Sequence, residues 1–262
     1  MRAAASSPAP ARMPPTVVGA IAVAWALAVA AEISGRGSAL HHDALIEGKL
    51  PYGLALVLFL VAWQAMVAAM MLPSSLPLVR LFAAAAAAQP RPRAAMAAFL
   101  GGYALVWTSF GWLAFVGGTM VHATVDSTPW LQHHEWLIAG GTLALAGAFQ
   151  FSALKHRCLE VCRHPGAFLL RRYERGLPAA FRFGRRHGLF CLGCCWALML
   201  LMFAAGVANL WWMAGLTALM VYEKTGPGGR RAVPVAGIAL LACASLVLAH
   251  PYWLPPILGG SH

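Results

Sequence analysis

The sequence has few charged residues. Lys and Arg number 19 and Asp and Glu number 8 among 262 residues, or 10% of the chain, whereas 60% is hydrophobic and the mean hydropathy is +0.69. A water-soluble domain needs charge on roughly a quarter of its residues, so this composition excludes a soluble globule. The glycines follow no fixed period, which excludes a collagen-like fibre, and the apolar content excludes a disordered chain.

The sequence also lacks the motifs of common enzymes. It has no phosphate-binding loop, no G-x-S-x-G, no H-E-x-x-H and no C-x-x-C-H. Glu32 and Glu223 stand at the ends of apolar runs, so the sequence offers no paired acids inside a span that could form a proton relay. These absences argue against an enzyme without excluding one.

Long apolar runs with no charge fill most of the chain. About 20 such residues cross a hydrocarbon layer of ~30 Å, and seven runs qualify, although the sixth is short. Pro73 and Pro77 are expected to mark the exit of the second run, because proline is tolerated at helix ends. We therefore predict an all-α membrane protein, a polytopic bundle of about seven transmembrane helices that forms one domain over residues 1–262. The predicted spans are 16–34, 52–72, 96–120, 136–154, 188–205, 209–222 and 233–249.

Basic residues are distributed asymmetrically about these spans. If the N-terminus and the even-numbered connections lie on one side of the membrane, every basic residue except Arg36 and Lys49 lies on that side. Because Lys and Arg are retained in the cytoplasm, we predict a cytoplasmic N-terminus and a basic cytoplasmic segment, 155–186, between the fourth and fifth spans. The first run is long for a cleaved signal and is expected to be a retained anchor. The charge suits anionic membrane lipids and not nucleic acid, since no aromatic-basic motif accompanies it.

Five of the six cysteines fall in two tight clusters. Cys158 and Cys162 are four residues apart and share a helix face, and C-x-x-C-C at 191–195 opens the fifth span. The reducing cytoplasm disfavours structural disulfides, which leaves metal ligation or thiol redox chemistry. His187, four residues before Cys191, is the best placed histidine beside them, whereas Cys243 alone suggests packing.

Methionines continue the second cysteine cluster. Met199 and Met202 share one helix face with Cys191 and Cys195, and Met66 and Met70 lie at an overlapping depth in the second span. Thiolates and thioethers together form a soft ligand set that selects Cu(I), whereas thiolates alone would equally suit zinc. Methionine at helical spacing ordinarily only fills the core. These methionines are expected to bind metal because they lie beside cysteines. The predicted metal ligands are Cys158, Cys162, Cys191, Cys194, Cys195, His187, Met66, Met70, Met199 and Met202.

Four segments resemble the bacterial family of predicted metal-binding integral membrane proteins. They are MVAAMMLPS at 66–74, the Tyr103 to Phe110 pattern, LKHRCLEVCR at 154–163 and RHGLFCLGCCWA at 186–197, and the likeness covers roughly residues 55–227. It implies a multi-pass protein of the bacterial inner membrane that binds metal. Some relatives are associated with copper delivery, which implies a copper chaperone whose partner is a copper-dependent oxidase or another metal-receiving protein.

Two other functions fit the same residues. In a membrane thiol-disulfide oxidoreductase, Cys191 and Cys194 would cycle between dithiol and disulfide and exchange with Cys158 or Cys162. In a structural protein, Zn²⁺ or cysteine packing would dock the basic segment onto the fifth span. A further metal site on the outer side is conceivable, since imidazole binds Cu(II) and Zn(II). Its candidate histidines are His41, His42, His122, His133, His134, His250 and His262.

Overall fold

A computed structural model describes residues 13–34, 50–134, 136–204 and 210–250, and within these ranges all regular structure is helical. This confirms the all-α prediction. The helices are α1 (Pro15–Ile33), α2 (Tyr52–Ala86), α3 (Pro92–Ser127), α4 (Pro129–Gln132), α5 (Trp136–Phe149), α6 (Ala153–Arg163), α7 (Pro165–Arg172), α8 (Leu177–Ala204), α9 (Leu210–Thr225) and α10 (Gly229–Ala249).

Four described helices, α1, α2, α3 and α10, are long and apolar enough to cross a membrane. A fifth is added if α5 and α6, which meet at 61°, count as one broken span. The predicted number of about seven spans is therefore not confirmed. The predicted sixth span, 209–222, corresponds to α9, which has 16 residues. The predicted fifth span ends at residue 205, which lies outside the described ranges.

The second helix does not end at its prolines. α2 continues through Pro73 and Pro77 for 35 residues, so the expectation that they mark its exit is wrong. Proline lacks the N–H that would bond the carbonyl four residues back, which for Pro73 is Ala69 O. The indole Nε1 of Trp25 on α1 donates to that oxygen at 3.0 Å. A side chain from a neighbouring helix thus replaces the lost bond and holds α1 against α2.

The predicted fourth span is broken in two. α5 ends at Phe149, and α6 begins at Ala153 in a new direction. Ser152 starts α6, because its Oγ accepts a hydrogen bond of 3.1 Å from the N–H of Lys155. The bend turns α6, which carries Cys158 and Cys162, back onto α8.

Close packing of α3 against α8 positions the second cysteine cluster. A Cβ on Gly184 would overlap the carbonyl of Phe99, and one on Gly102 would overlap the carbonyl of Phe181. Small residues let membrane helices approach this closely. The close approach brings Tyr103, next to Gly102, against the cysteine face of α8.

Candidate metal-binding site

The two cysteine segments meet where α6 lies on α8. The sulfur of Cys158 fills the space beside Gly193, since a Cβ on that glycine would lie 2.6 Å from it. Cys162 packs against the same buried cluster, which contains Cys194. Residues some 30 positions apart in the chain thus contribute to one sulfur cluster, because the bend before α6 folds it back.

The cysteines of α8 are almost fully enclosed. Cys191 is 0% exposed, and Cys194 and Cys195 are each 1% exposed. The thiols of Cys194 and Cys195 donate to the carbonyl of Cys191 at 3.1 and 2.7 Å. The sulfur of Cys195 also lies 3.5 Å from Sδ of Met71, which joins α8 to α2 through two sulfur atoms. Cys158 is buried at the edge of the cluster and Cys162 is half-buried.

Methionines continue from this cluster into the apolar core. The predicted ligands Met66, Met70, Met199 and Met202 are all buried in the same core cluster as the cysteines of α8. Three further methionines of this cluster are not among the predicted ligands, namely Met71, Met213 and Met220. Met213 and Met220 are seven residues apart and therefore share a face of α9, a periodicity that could have identified them.

Two lysines and a glutamate are also buried at this site, although the charge pattern treated them only as part of the cytoplasmic connections. Lys155 is 0%, Glu223 2% and Lys224 5% exposed. The Nζ of Lys224 donates to Oγ of Ser74 at 2.9 Å and to Sγ of Cys191 at 3.1 Å. An ammonium group at this distance stabilises negative charge on the sulfur.

A hydroxyl group contacts the same sulfur. The Oη of Tyr103 lies 3.2 Å from Sγ of Cys191. Cys191 therefore has two polar neighbours, one on α3 and one on α9, and both can donate hydrogen bonds to a thiolate.

The other buried lysine fixes α6 over the cluster. The Nζ of Lys155 bonds Oε2 of Glu223 at 2.7 Å, and the guanidinium of Arg163 donates to the carbonyls of Glu223 and Gly226. Lys155, Cys158 and Cys162 follow helical spacing and face the same way. One face of α6 thus carries both its thiols and its anchor to the end of α9.

His187 borders the cluster through other residues. Its Nε2 lies 3.1 Å from Oγ of Ser75, and its ring stacks on Tyr103 with 5.4 Å between centroids. The imidazole is buried, and the hydrogen bond directs it toward Ser75.

The outer histidines form no ligand group in the described part of the chain. His134 bonds the carbonyl of Trp130 at 2.6 Å and stacks on that indole, whereas His41, His42 and His262 lie outside the described residues. Nor do three or more His, Cys, Asp or Glu side chains anywhere in the described ranges already stand in an arrangement that would hold a metal ion. The thiols of the cysteine cluster are therefore close together, but they are not arranged around a common point where a metal ion could bind.

Comparison with known proteins gives one match. No curated protein and no solved structure matches the chain. The sequence model of a family described as PpoB2, copper chaperone, matches residues 60–247, which include every predicted ligand and extend through most of α10. The match supports the copper-related part of the family resemblance, although under a different family name. The chain therefore belongs to the PpoB2 family of copper chaperones.

Proposed function

We propose that this copper-handling membrane protein binds Cu(I) as cargo at the cluster of Cys158, Cys162, Cys191, Cys194 and Cys195, and passes it along the buried methionines. The observation that carries the proposal is the meeting of α6 and α8, where Cys158 packs on Gly193 and Cys162 packs against the buried cluster that contains Cys194. Thiolates and thioethers select Cu(I) over hard cations.

Binding requires local rearrangement of thiols that now bond the backbone. Cys194 and Cys195 each donate their proton to the carbonyl of Cys191. A thiolate no longer donates, so losing the proton releases these side chains to rotate toward a metal ion.

The buried methionines provide a series of weaker Cu(I) ligands that leads away from the cysteine cluster. Met71 touches Cys195, and Met70, Met66, Met199 and Met202 lie in the same buried cluster. Neutral thioethers bind Cu(I) more weakly than thiolates do, so exchange along them can be quick. Met213 and Met220 extend the same set from α9.

The proposed setting is the bacterial inner membrane with the N-terminus in the cytoplasm. The basic segment 155–186 then lies at the cytoplasmic surface beside anionic lipids, and it supplies Cys158 and Cys162. A copper-dependent oxidase or another metal-receiving protein takes the ion on the far side. Family membership as a copper chaperone supports a receiving partner of this kind.

Metal analysis of the purified protein tests the proposal. The full chain is loaded anaerobically with Cu(I) or Zn²⁺, desalted and measured for bound metal by mass spectrometry. We expect Cu(I) to be retained by the protein and by a Cys243→Ser control, since Cys243 lies apart on the exposed face of α10. A variant carrying Cys191→Ser, Cys194→Ser and Cys195→Ser should lose it.

Three outcomes would contradict this function. Unchanged copper in the triple variant would exclude the cluster as the site. Retention of non-exchanging Zn²⁺ in preference to Cu(I) would favour a structural zinc site. A redox-dependent change in alkylated mass without bound metal would favour the thiol-disulfide oxidoreductase.

A further inference from the structure

Among the acidic and basic side chains buried around the cysteine cluster, one lysine has no carboxylate partner. The Lys, Arg, Asp and Glu side chains that are buried in the described ranges are Lys155, Lys224 and Glu223. Lys155 and Glu223 pair at 2.7 Å and cancel. This leaves the ammonium of Lys224, which contacts Ser74 and Cys191.

Helix geometry separates Lys224 from its acidic neighbour. Successive residues on a helix point about 100° apart, so Glu223 faces α6 while Lys224 faces α2 and α8. Glu223 is therefore committed to Lys155, and the positive charge of Lys224 is directed at the sulfur of Cys191.

Stability of the fold does not account for a lysine at this place. A buried charge loses its hydration, and an apolar side chain of similar volume is usually as stable or more stable there. A buried ammonium beside a sulfur is explained if the functional state of the site carries negative charge on its sulfur ligands.

We propose that Lys224 is the fixed counter-charge of the loaded site, so that the site is electrically neutral when two thiolates bind Cu(I). This inference rests on the proposed function. When Cu⁺ binds, two Cu–S bonds form, any protons on those two thiols leave to water, and the copper stays Cu(I). The complex carries one negative charge, which Lys224 cancels. A complex of one thiolate and one thioether is neutral and leaves Lys224 unbalanced.

Single substitutions test the need for charge. The probe is Cu(I) alone, titrated anaerobically into the full-length protein against a chromophoric Cu(I) chelator. Lys224→Met should weaken Cu(I) binding by at least about ten-fold, because it removes a unit charge a few ångströms from the complex. Lys224→Arg keeps the charge and should stay within about three-fold of the unmodified protein. Thr217→Val, on the same buried face of α9, is the matched uncharged control and should change nothing.

A charge exchange separates this role from packing. Cys191→Met replaces a thiolate donor by a neutral thioether, so with Lys224 present the loaded site carries one excess positive charge. Combining Cys191→Met with Lys224→Met makes the loaded site neutral again. The double variant should therefore bind Cu(I) at least about ten-fold more tightly than the product of the two single losses predicts, a coupling that a double-mutant cycle measures.

The results divide cleanly between the two proposals. Multiplicative losses in the double variant, or Lys224→Arg as weak as Lys224→Met, would overturn the counter-charge role while leaving copper binding intact. Absence of Cu(I) binding by the unmodified protein would overturn the proposed function itself. Thermal unfolding of each metal-free variant shows that it is folded, and Lys224→Met should be at least as stable as the original chain.

Discussion

The Nζ of Lys155 lies 2.7 Å from Oε2 of Glu223, and both side chains are buried between α6 and the end of α9. The pair spans 68 positions of the chain. It attaches the helix that carries Cys158 and Cys162 to the helix that carries Lys224. Geometry at the sulfur cluster therefore depends on a charged contact outside the cluster.

Removing the lysine of this pair should destabilise the protein strongly. Lys155→Met leaves the carboxylate of Glu223 buried without its partner, which costs about 3–5 kcal/mol. Thermal unfolding of the detergent-solubilised protein measures the loss. Replacing both residues, Lys155→Met with Glu223→Leu, should restore much of the stability because no lone charge remains. A single variant as stable as the original would show that the carboxylate is solvated or takes up a proton once its partner is removed.

Contact between α3 and α8 should also be sensitive to one added methyl group. Gly184→Ala places a Cβ into the carbonyl of Phe99, and separating the helices should cost about 1–3 kcal/mol or more. Gly141→Ala is the matched control, since nothing lies within 4 Å of its added Cβ. Because alanine favours a helix over glycine, the control should gain up to about 1 kcal/mol. Equal unfolding midpoints for the two variants would contradict the close packing.

Apolar runs in the sequence predicted much of the fold because they coincide with helices in this chain. The first two predicted runs start within one residue of α1 and at the start of α2. The prediction failed at Pro73, where local chemistry says that a helix ends but Trp25 supplies the missing hydrogen bond from another helix. It failed again after Phe149, since the 150–152 break is set by a serine cap and by tertiary packing. The two errors differ in cause, because the partner of Ala69 O is distant in sequence whereas the cap of α6 is local.

Helical spacing in the sequence identified some residues of the candidate site and not others. Their spacing placed Cys158 and Cys162 on one helix face, and Cys191 and Cys195 on one face of another helix. The structure brings these two segments together. The charged side chains were missed. Lys224 looks like an ordinary residue of a basic connection, and only three-dimensional packing shows its ammonium beside a thiol.

Trp25 supplies a test of how proline is accommodated in α2. Trp25→Phe removes the donor to Ala69 O and should cost about 1–3 kcal/mol of unfolding free energy, because that carbonyl loses its partner in an apolar setting. Pro73→Ala returns a backbone N–H to the same oxygen. In that background Trp25→Phe should cost clearly less. Identical costs in both backgrounds would mean that the indole contributes only through packing.

Accessibility of Cys162 provides a readout of copper loading that does not depend on affinity. It is half-buried, whereas Cys191, Cys194 and Cys195 are at most 1% exposed, so a small maleimide should label Cys162 first. The experiment uses a Cys243→Ser background, which removes the exposed thiol of α10. Bound Cu(I) ties up the reactive thiolate, so labelling of Cys162, located by peptide mass spectrometry, should slow by about ten-fold or more. Cu(I) bound in stoichiometric amount with no change in that rate would remove Cys162 from the ligand set. Cys158 would then be the remaining candidate ligand on α6, beside the three cysteines of α8.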